Sequence, residues 1–394
     1  MKIAFYTNIV SPHQLPFARE LVKRVGADNY RYIYSEPFHA ERSAMGWRNE
    51  QEPWILSEID QRDESHHWLE TADVLILGHR DLGLIERRCQ KGLRTFYASE
   101  RWFKPVPLFD FGLRLRLYIP GWVRMAVPSY FKMVRRFVAL ARKHDSFRLL
   151  PYGVWAESDF RLMGVPADKM TTWGYAVASS RTAADSVTCA GKKSSFCSVR
   201  RAESKGTDGG LAVVRVLWVG RMLKLKNVDV IIRAVVRANQ ICLEKSEGER
   251  QRFFLTLVGD GPERPRLQRL ADRLQKDLHS TVIFMHPPCP IGEVREIMQQ
   301  HDVYVFASNG LDGWGAVVSE ALEEGMVCVG SREAGASATL LPSSCLFDPR
   351  KERSLAKRLW AASKNELPRI GIGVWSACGL AERFMSICGM KGQR

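Results

Sequence analysis

Short apolar runs alternate with amphipathic stretches along most of the chain, and that alternation predicts strands followed by helices. In the first half, Lys2 to Thr7 reads as a strand. Gln14 to Val25 reads as a helix with Leu15, Ala18, Leu21, Val22 and Val25 on one face. Strands are expected at Tyr30 to Tyr34, Val74 to Leu77 and Arg94 to Ala98, with a helix from Leu82 to Lys91 before the last of them. Strand–helix alternation of this kind builds a parallel sheet covered on both faces.

The pattern lapses between Ala183 and Gly210, where Ser, Lys, Gly, Ala and Thr replace large apolar residues, and this stretch reads as a linker or mobile loop. It then resumes with strands at Val213 to Val219, Phe253 to Val258, Thr281 to Met285, Val303 to Phe306 and Val327 to Val329. The intervening helices are Val228 to Asn239, Pro262 to Asp277, Gly292 to Gln300 and Ala316 to Glu324. The expected organisation is therefore a domain over 1–182, a linker over 183–210, a second doubly wound domain over 211–370, and a tail over 371–394. A helix near Trp375 to Cys388 in that tail is expected to return to the first domain. Ligands of doubly wound sheets sit beyond the carboxyl ends of the strands, so two such units place the expected site in the cleft between them.

A length of 394 residues suffices for two ordinary cores, and 45% hydrophobic residues is a globular composition. The formal charge of +15 asks for an acidic partner: nucleic acid, an anionic membrane or phosphorylated substrates. No nucleic-acid recognition motif accompanies that charge, so no nucleic-acid partner is expected. No apolar run approaches the roughly 18 residues that span a bilayer, and the first residues read as a strand instead of an export signal. Nine scattered cysteines form no Cys-x-x-Cys pair and no zinc-spaced cluster, as expected of reduced thiols in a cytosolic protein.

The densest chemistry lies at Asp312-Gly-Trp-Gly-Ala-Val-Val-Ser-Glu320, directly after the buried run Val303 to Phe306. A helix that starts there aims its free amides beyond the strand end and favours an anion. Carboxylates on both sides of the turn add acceptors for hydroxyl groups, and a nucleotide sugar has both features. Arg221 and Lys226 follow the strand ending at Gly220. They are either diphosphate-binding cations or solvated loop residues. Leu257-Val-Gly-Asp-Gly-Pro-Glu263 is a strand and tight turn, serving turn chemistry or ligand contact. Its third glycine position holds Arg264, which excludes a dinucleotide fingerprint, and no P-loop motif occurs.

In order, Val-Gly-Arg221-x4-Lys226-Asn, Val-Gly-Asp-Gly-Pro-Glu, Ala-Ser308 and Asp312-Gly-Trp-Gly-x4-Glu320-Ala resemble the family-four retaining glycosyltransferases of the GT-B fold. Ser11-Pro-His-Gln, Ser99-Glu-Arg-Trp-Phe-Lys104 and Trp173-Gly-Tyr175 resemble the branch found in bacterial exopolysaccharide and surface-glycan assembly. The resemblance implies two Rossmann-like domains facing a central cleft, the acceptor domain first and the donor domain second. It implies transfer of a hexosyl group from a nucleotide diphosphate sugar to a glycan, with retention of anomeric configuration. By the same resemblance, Arg221 and Lys226 hold the donor diphosphate and Glu320 the ribose hydroxyls. Asp312, where the family usually has Glu, touches the transferred sugar. Gly220, Gly313, Trp314 and Gly315 are donor-binding positions, the amides around Trp314 and Gly315 meeting phosphate or sugar.

The family often has a histidine after the strand matching Arg94 to Ala98. None stands here, and Glu100 or Arg101 is the expected substitute. His13, in the loop after the first strand, is either structural or part of the site. No cofactor and no metal are expected beyond the donor substrate, because two cations can stabilise the leaving diphosphate. The rival readings are a sugar-nucleotide epimerase or hydrolase on the same fold and a non-catalytic nucleotide-sugar binder.

Between about 103 and 148 the chain is rich in aromatics and cations. From Ser129 to Lys143, Tyr130, Val134, Phe137, Val138 and Ala141 form a stripe opposite Lys132, Arg135, Arg136, Arg142 and Lys143. This predicts either a helix lying apolar face down on an anionic membrane or a core-facing helix with a solvated basic face. Phe103, Leu108, Phe109, Phe111 and Trp122 add apolar character and favour the membrane. Enzymes of the resembling branch commonly act on polyprenyl-linked acceptors, so a cytoplasmic protein peripheral to the inner face of the cell membrane is expected.

Overall fold

The computed structural model describes residues 1–37, 51–110, 116–178, 207–208, 211–244, 251–276, 278 and 282–389. The chain divides into two compact units, Met1–Ala178 with Gly373–Arg394, and Ser179–Ile372. Of the expected linker 183–210, all but 207–208 lies outside the described residues, as do the end of the helix expected to reach Asp277 and the start of the strand expected at Thr281.

In the first unit, strands β1 (Ile3–Thr7), β2 (Tyr30–Tyr34), β3 (Ile55–Ser57), β4 (Val74–Leu77) and β5 (Arg94–Ser99) belong to one parallel sheet. β6 (Val106–Asp110) and β7 (Arg116–Ile119) form a separate antiparallel pair, and β8 (Phe147–Pro151) completes the sheet in the order β3-β2-β1-β4-β5-β8. Every residue of β1 and β4 is buried, because helices cover both faces. Phe5 lies opposite Tyr32 on one side and Ile76 on the other, and strand order reverses across the β1–β4 step. The helix Ala377–Ile387 packs against the helix Leu15–Val25, with Phe384 edge-on to Phe17 and Phe96.

Arg88 is fully buried in this unit and clamps four carbonyl or hydroxyl oxygens. Its guanidinium donates to Leu69 O at 2.7 Å, Ala72 O at 2.8 Å, Arg94 O at 3.1 Å and Thr95 Oγ1 at 3.0 Å. Burial pulls that guanidinium down to about 10 from its ordinary value. Arg88→Met keeps the volume but strands those acceptors away from water. We expect it to lower the unfolding free energy by about 3 kcal/mol or more in urea titration, because each unpaired buried acceptor costs roughly 1–3 kcal/mol.

The helix Pro128–Lys143 corrects the expected apolar-down orientation. Val134, Phe137, Val138 and Ala141 are buried in the unit's core, and Tyr130 packs against it. Phe137 stacks on Phe160 and meets Trp102, Tyr97 and Phe147. Phe103 is also core. The stripe is therefore a seam against the sheet layer, and the cations form the solvent face. The side chains of Leu108, Phe109 and Phe111 lie outside the described residues.

The second unit repeats the architecture. β9 (Thr207–Asp208) runs antiparallel on β10 (Leu211–Val219). β11 (Gln251–Val258), β12 (Ile283–His286), β13 (Val303–Phe306), β14 (Val327–Ser331) and β15 (Leu346–Phe347) join β10 in a parallel sheet of order β12-β11-β10-β13-β14-β15. The helix Val228–Leu243 is buried along most of its length between β11 and the helix Glu352–Ser363. Strand order reverses between β10 and β13, where Val216 pairs with Val303 and Leu217 with Tyr304. Both units are thus doubly wound parallel sheets, as the hydrophobic pattern predicts.

Candidate functional site

Two loops leave the carboxyl ends of β10 and β13 at the point where strand order reverses, the usual ligand crevice of such a sheet. The first runs Gly220 to Asn227 and the second Ala307 to Gly315. They are stitched together by backbone and side chain. The Asn309 amide donates to Leu225 O at 2.9 Å, and Asn227 Nδ2 donates to Ala307 O at 3.0 Å. Asn227 takes a left-handed conformation (φ 49°) that turns the chain into the helix Val228–Leu243.

This stitching brings Lys226 onto Asp312. The ammonium lies 2.5 Å from Asp312 Oδ2, with the two side chains 18% and 15% exposed, so the pair is largely shielded yet still reachable. Lys226 Nζ also stands 5.5 Å from the centroid of the Phe306 ring. Asp312 Oδ1 accepts the Gly313 amide at 3.1 Å, which fixes the carboxylate at the start of the turn. Gly315 (φ 90°) then admits the chain to the helix Ala316–Glu323. Glu320 sits one turn further along that helix and is buried. Trp314 is almost wholly buried, and its carbonyl accepts the Ala336 amide at 2.8 Å.

Arg221 shares the first loop with Lys226, and its side chain is exposed. Gly220 precedes it, its amide donating to Val258 O at 3.0 Å. The turn after β11 braces this segment. Met222 donates its amide to Asp260 O at 2.7 Å, and Glu263 donates to Met222 O at 3.1 Å. Val-Gly-Asp-Gly-Pro-Glu therefore supports the cation loop through backbone contacts. Tyr304, on β13, has its phenol held well above the ordinary value, first by burial and then by the neighbouring Cys328, Glu320 and Asp312.

His13 and Glu100 lie in the first unit and share one neighbour. The His13 ring is 6.1 Å from that of Tyr175, and the Tyr175 hydroxyl donates to Glu100 Oε1 at 3.4 Å. Lys104 Nζ is 3.1 Å from Glu100 Oε2. Tyr175 packs on Tyr152 at 4.6 Å between centroids, and Tyr32 donates to Gln14 Oε1 at 2.7 Å. His13, Gln14, Tyr152, Trp173 and Tyr175 line a small pocket at the strand ends of this sheet. Arg101, the other expected substitute for the missing histidine, points elsewhere. Its guanidinium pairs with Asp159 at 3.2 Å.

Residues 214–365 match the family model described as Glycosyl transferases group 1. Solved structures match over nearly the full chain. Anabaena HepE in complex with UDP aligns with a TM-score of 0.55 at 13% identity, covering 98% of this chain and 95% of its own. A glycosyltransferase from Rickettsia africae gives 0.57 at 12%, covering 99% and 94%. An E. coli trehalose-6-phosphate structure bound with UDP-2-fluoro glucose gives 0.56 at 14%, covering 100% of both chains. The chain has the GT-B fold. No curated protein matches its sequence.

Within the second unit of this GT-B chain, the structure brings Lys226, Asp312 and Gly313 into direct contact. It sets Gly220, Arg221, Trp314, Gly315 and Glu320 on the same two loops and the helix that follows. His13 and Glu100 belong to a different cluster, in the other unit. Sequence reasoning gave no role to Asn227, Phe306, Tyr304 or Tyr175. An Asn directly before an apolar helical run is a legible signal for a left-handed turn. Tyr304 and Phe306 carried none, since an aromatic in a strand reads as core.

Proposed function

We propose that this chain transfers a hexosyl group from a nucleoside diphosphate sugar to a glycan acceptor carried on lipid, at the inner face of the cell membrane and with retention of anomeric configuration. The observation that carries the reading is the Lys226–Asp312 pair at the β10–β13 reversal, beside the opening of the helix Ala316–Glu323. A cation and a hydroxyl acceptor side by side, next to free helix amides, suit the junction of a phosphate and a sugar. Two of the fold relatives carry UDP or a UDP-linked sugar, which favours a uridine donor.

In this reading Lys226 and Arg221 hold the diphosphate, Asp312 accepts hydroxyls of the transferred sugar, and Glu320 takes the ribose hydroxyls. The bond from the anomeric carbon to the β-phosphate oxygen breaks, and a bond to the acceptor oxygen forms on the same face. The acceptor proton passes to the leaving phosphate oxygen. The protein contributes orientation and charge stabilisation. Lys226 is already held in place by Asp312, so its charge needs little reorganisation when the leaving group develops its own.

Following donor consumption with and without acceptor tests the reading. Consumption that requires acceptor supports transfer. Conversion without acceptor indicates an epimerase or hydrolase, and no conversion indicates a binder. With two cations serving the diphosphate, turnover is expected to be unchanged in a chelator such as EDTA. Loss of turnover that magnesium restores would contradict that expectation.

A further inference from the structure

Burial of the Val134–Ala141 seam leaves a different apolar surface at the start of the same helix. Of the large apolar side chains exposed among the described residues, four fall within one ten-residue stretch: Trp122, Val123, Val127 and Phe131. The others are scattered singly along the chain, as is normal. Trp122 and Val123 lie on the 3-10 turn Gly121–Ala126. Val127 and Phe131 follow one helical turn apart, the first capping the helix Pro128–Lys143 and the second in its opening turns. The turn is anchored from below. Gly121 is buried so closely on the Phe103–Lys104 backbone that a side chain there would come within 2.6 Å of Phe103 O. The apolar tip is thus presented on a fixed base.

Cations surround that tip. Arg124, Lys132, Arg135 and Arg136 are all exposed. The Arg135 guanidinium lies 5.9 Å from the Phe131 ring, one turn further along. From 111 to 144 the chain carries eight Lys and Arg and no Asp or Glu. Among the described residues, the one carboxylate paired with this face is Glu86, on Arg136. An acidic protein would satisfy the charge but leave an indole and a phenyl without a matching pocket. A lipid interface takes both at once, rings at headgroup depth and cations among phosphates.

We propose that Trp122, Val123, Val127 and Phe131, with Arg124, Lys132 and Arg135, form a wedge that docks the protein on an anionic bilayer surface. The wedge stands on exposure and charge alone and does not require the transferase reading. It also differs from the stripe the sequence suggested: the membrane face is the outer end of the helix, and its long apolar side is core.

Flotation of the full-length protein with phosphatidylcholine vesicles, with and without phosphatidylglycerol, tests it. At low salt we expect binding to the mixed vesicles at least about tenfold above the neutral ones, with loss as salt screens the cations. Trp122→Ser with Phe131→Ser should reduce binding about tenfold. Lys132→Glu with Arg135→Glu should reduce it by about 25-fold or more, at roughly fivefold per cation lost. These side chains are exposed, so both variants should keep the wild-type melting temperature and the wild-type response to donor, which separates failure here from failure of the transferase reading. The proposal is overturned if the protein ignores mixed vesicles or if the Trp122→Ser, Phe131→Ser variant floats as well as wild type. It is equally overturned if wild type proves to be a dimer that this variant dissolves, because a second copy would then cover the patch.

Discussion

Replacing Lys226 by alanine is expected to lower kcat/KM for sugar transfer by about 10²–10³-fold, the range seen when one preorganised electrostatic group is removed. Lys226 is placed by three separate features: the left-handed Asn227, the bonds between the two loops, and the ion pair to Asp312. The substitution removes attraction for the diphosphate. It also leaves the Asp312 carboxylate uncompensated, so the same change introduces repulsion. Both kcat and the donor KM should suffer, since the lysine meets phosphate in the ground state and more strongly as the leaving group gains charge. Steady-state kinetics with varied donor checks this. A rise in KM with kcat untouched would mean that the ammonium binds ground and transition states alike. Lys226→Arg should rescue little, because the bulkier guanidinium has to enter a shielded space that holds a compact ammonium 2.5 Å from Asp312 Oδ2 and 5.5 Å from the Phe306 ring centroid.

Gly315→Ala is expected to abolish the stabilisation that a donor nucleotide gives and to cost about 2–5 kcal/mol of stability, from left-handed strain plus overpacking. The residue has φ 90°, a conformation that side chains rarely adopt. An added methyl would overlap Phe306 Cζ and stand 2.7 Å from its Cε1. Phe306 cannot yield easily, since it is buried in β13 and lies beneath Lys226. The strain should therefore move the turn that aims the helix amides and carries Asp312. Thermal denaturation with and without nucleotide reads both effects. Phe306→Leu in the same chain should recover part of the stability, because it relieves the overlap and leaves the dihedral strain.

The sheets were legible because their strands are buried on both faces. Val74 to Leu77 and Val303 to Phe306 match the structure residue for residue. Elements with mixed burial were missed. β3 is three residues long, the helix Arg62–Thr71 buries little beyond Ser65, Trp68 and Leu69, and the helix Glu352–Ser363 is interrupted by charge. The stripe at Val134 to Ala141 shows the limit of pattern reading. Periodicity reveals that a helix has an apolar face, and only packing reveals what covers it.

At the second-unit site, residue types and spacing pointed to Lys226 and Asp312, whereas their direct pairing arises from two loops 80 residues apart, stitched by Asn227 and Ala307. The Tyr175 link between His13 and Glu100 was equally hidden. It depends on the segment Met170 to Tyr175, bridged to Leu149 and Tyr152, bringing the Tyr175 ring to residues that follow β1 and β5.

The most direct test of the central claim, that Lys226 and Asp312 frame a pyrophosphate, is calorimetric titration of UDP and other nucleoside diphosphates into wild type, Lys226→Ala and Asp312→Asn. One nucleotide should bind wild type in a salt-sensitive way, and Lys226→Ala should bind it at least about tenfold more weakly, the charge-assisted contact being worth roughly 1.5–3 kcal/mol. Asp312→Asn should bind it as well or better, because the ammonium is released and a repelling carboxylate is gone. If none of these nucleotides binds wild type, or if Lys226→Ala binds with unchanged affinity, the pair serves only to close the loops and the account is wrong.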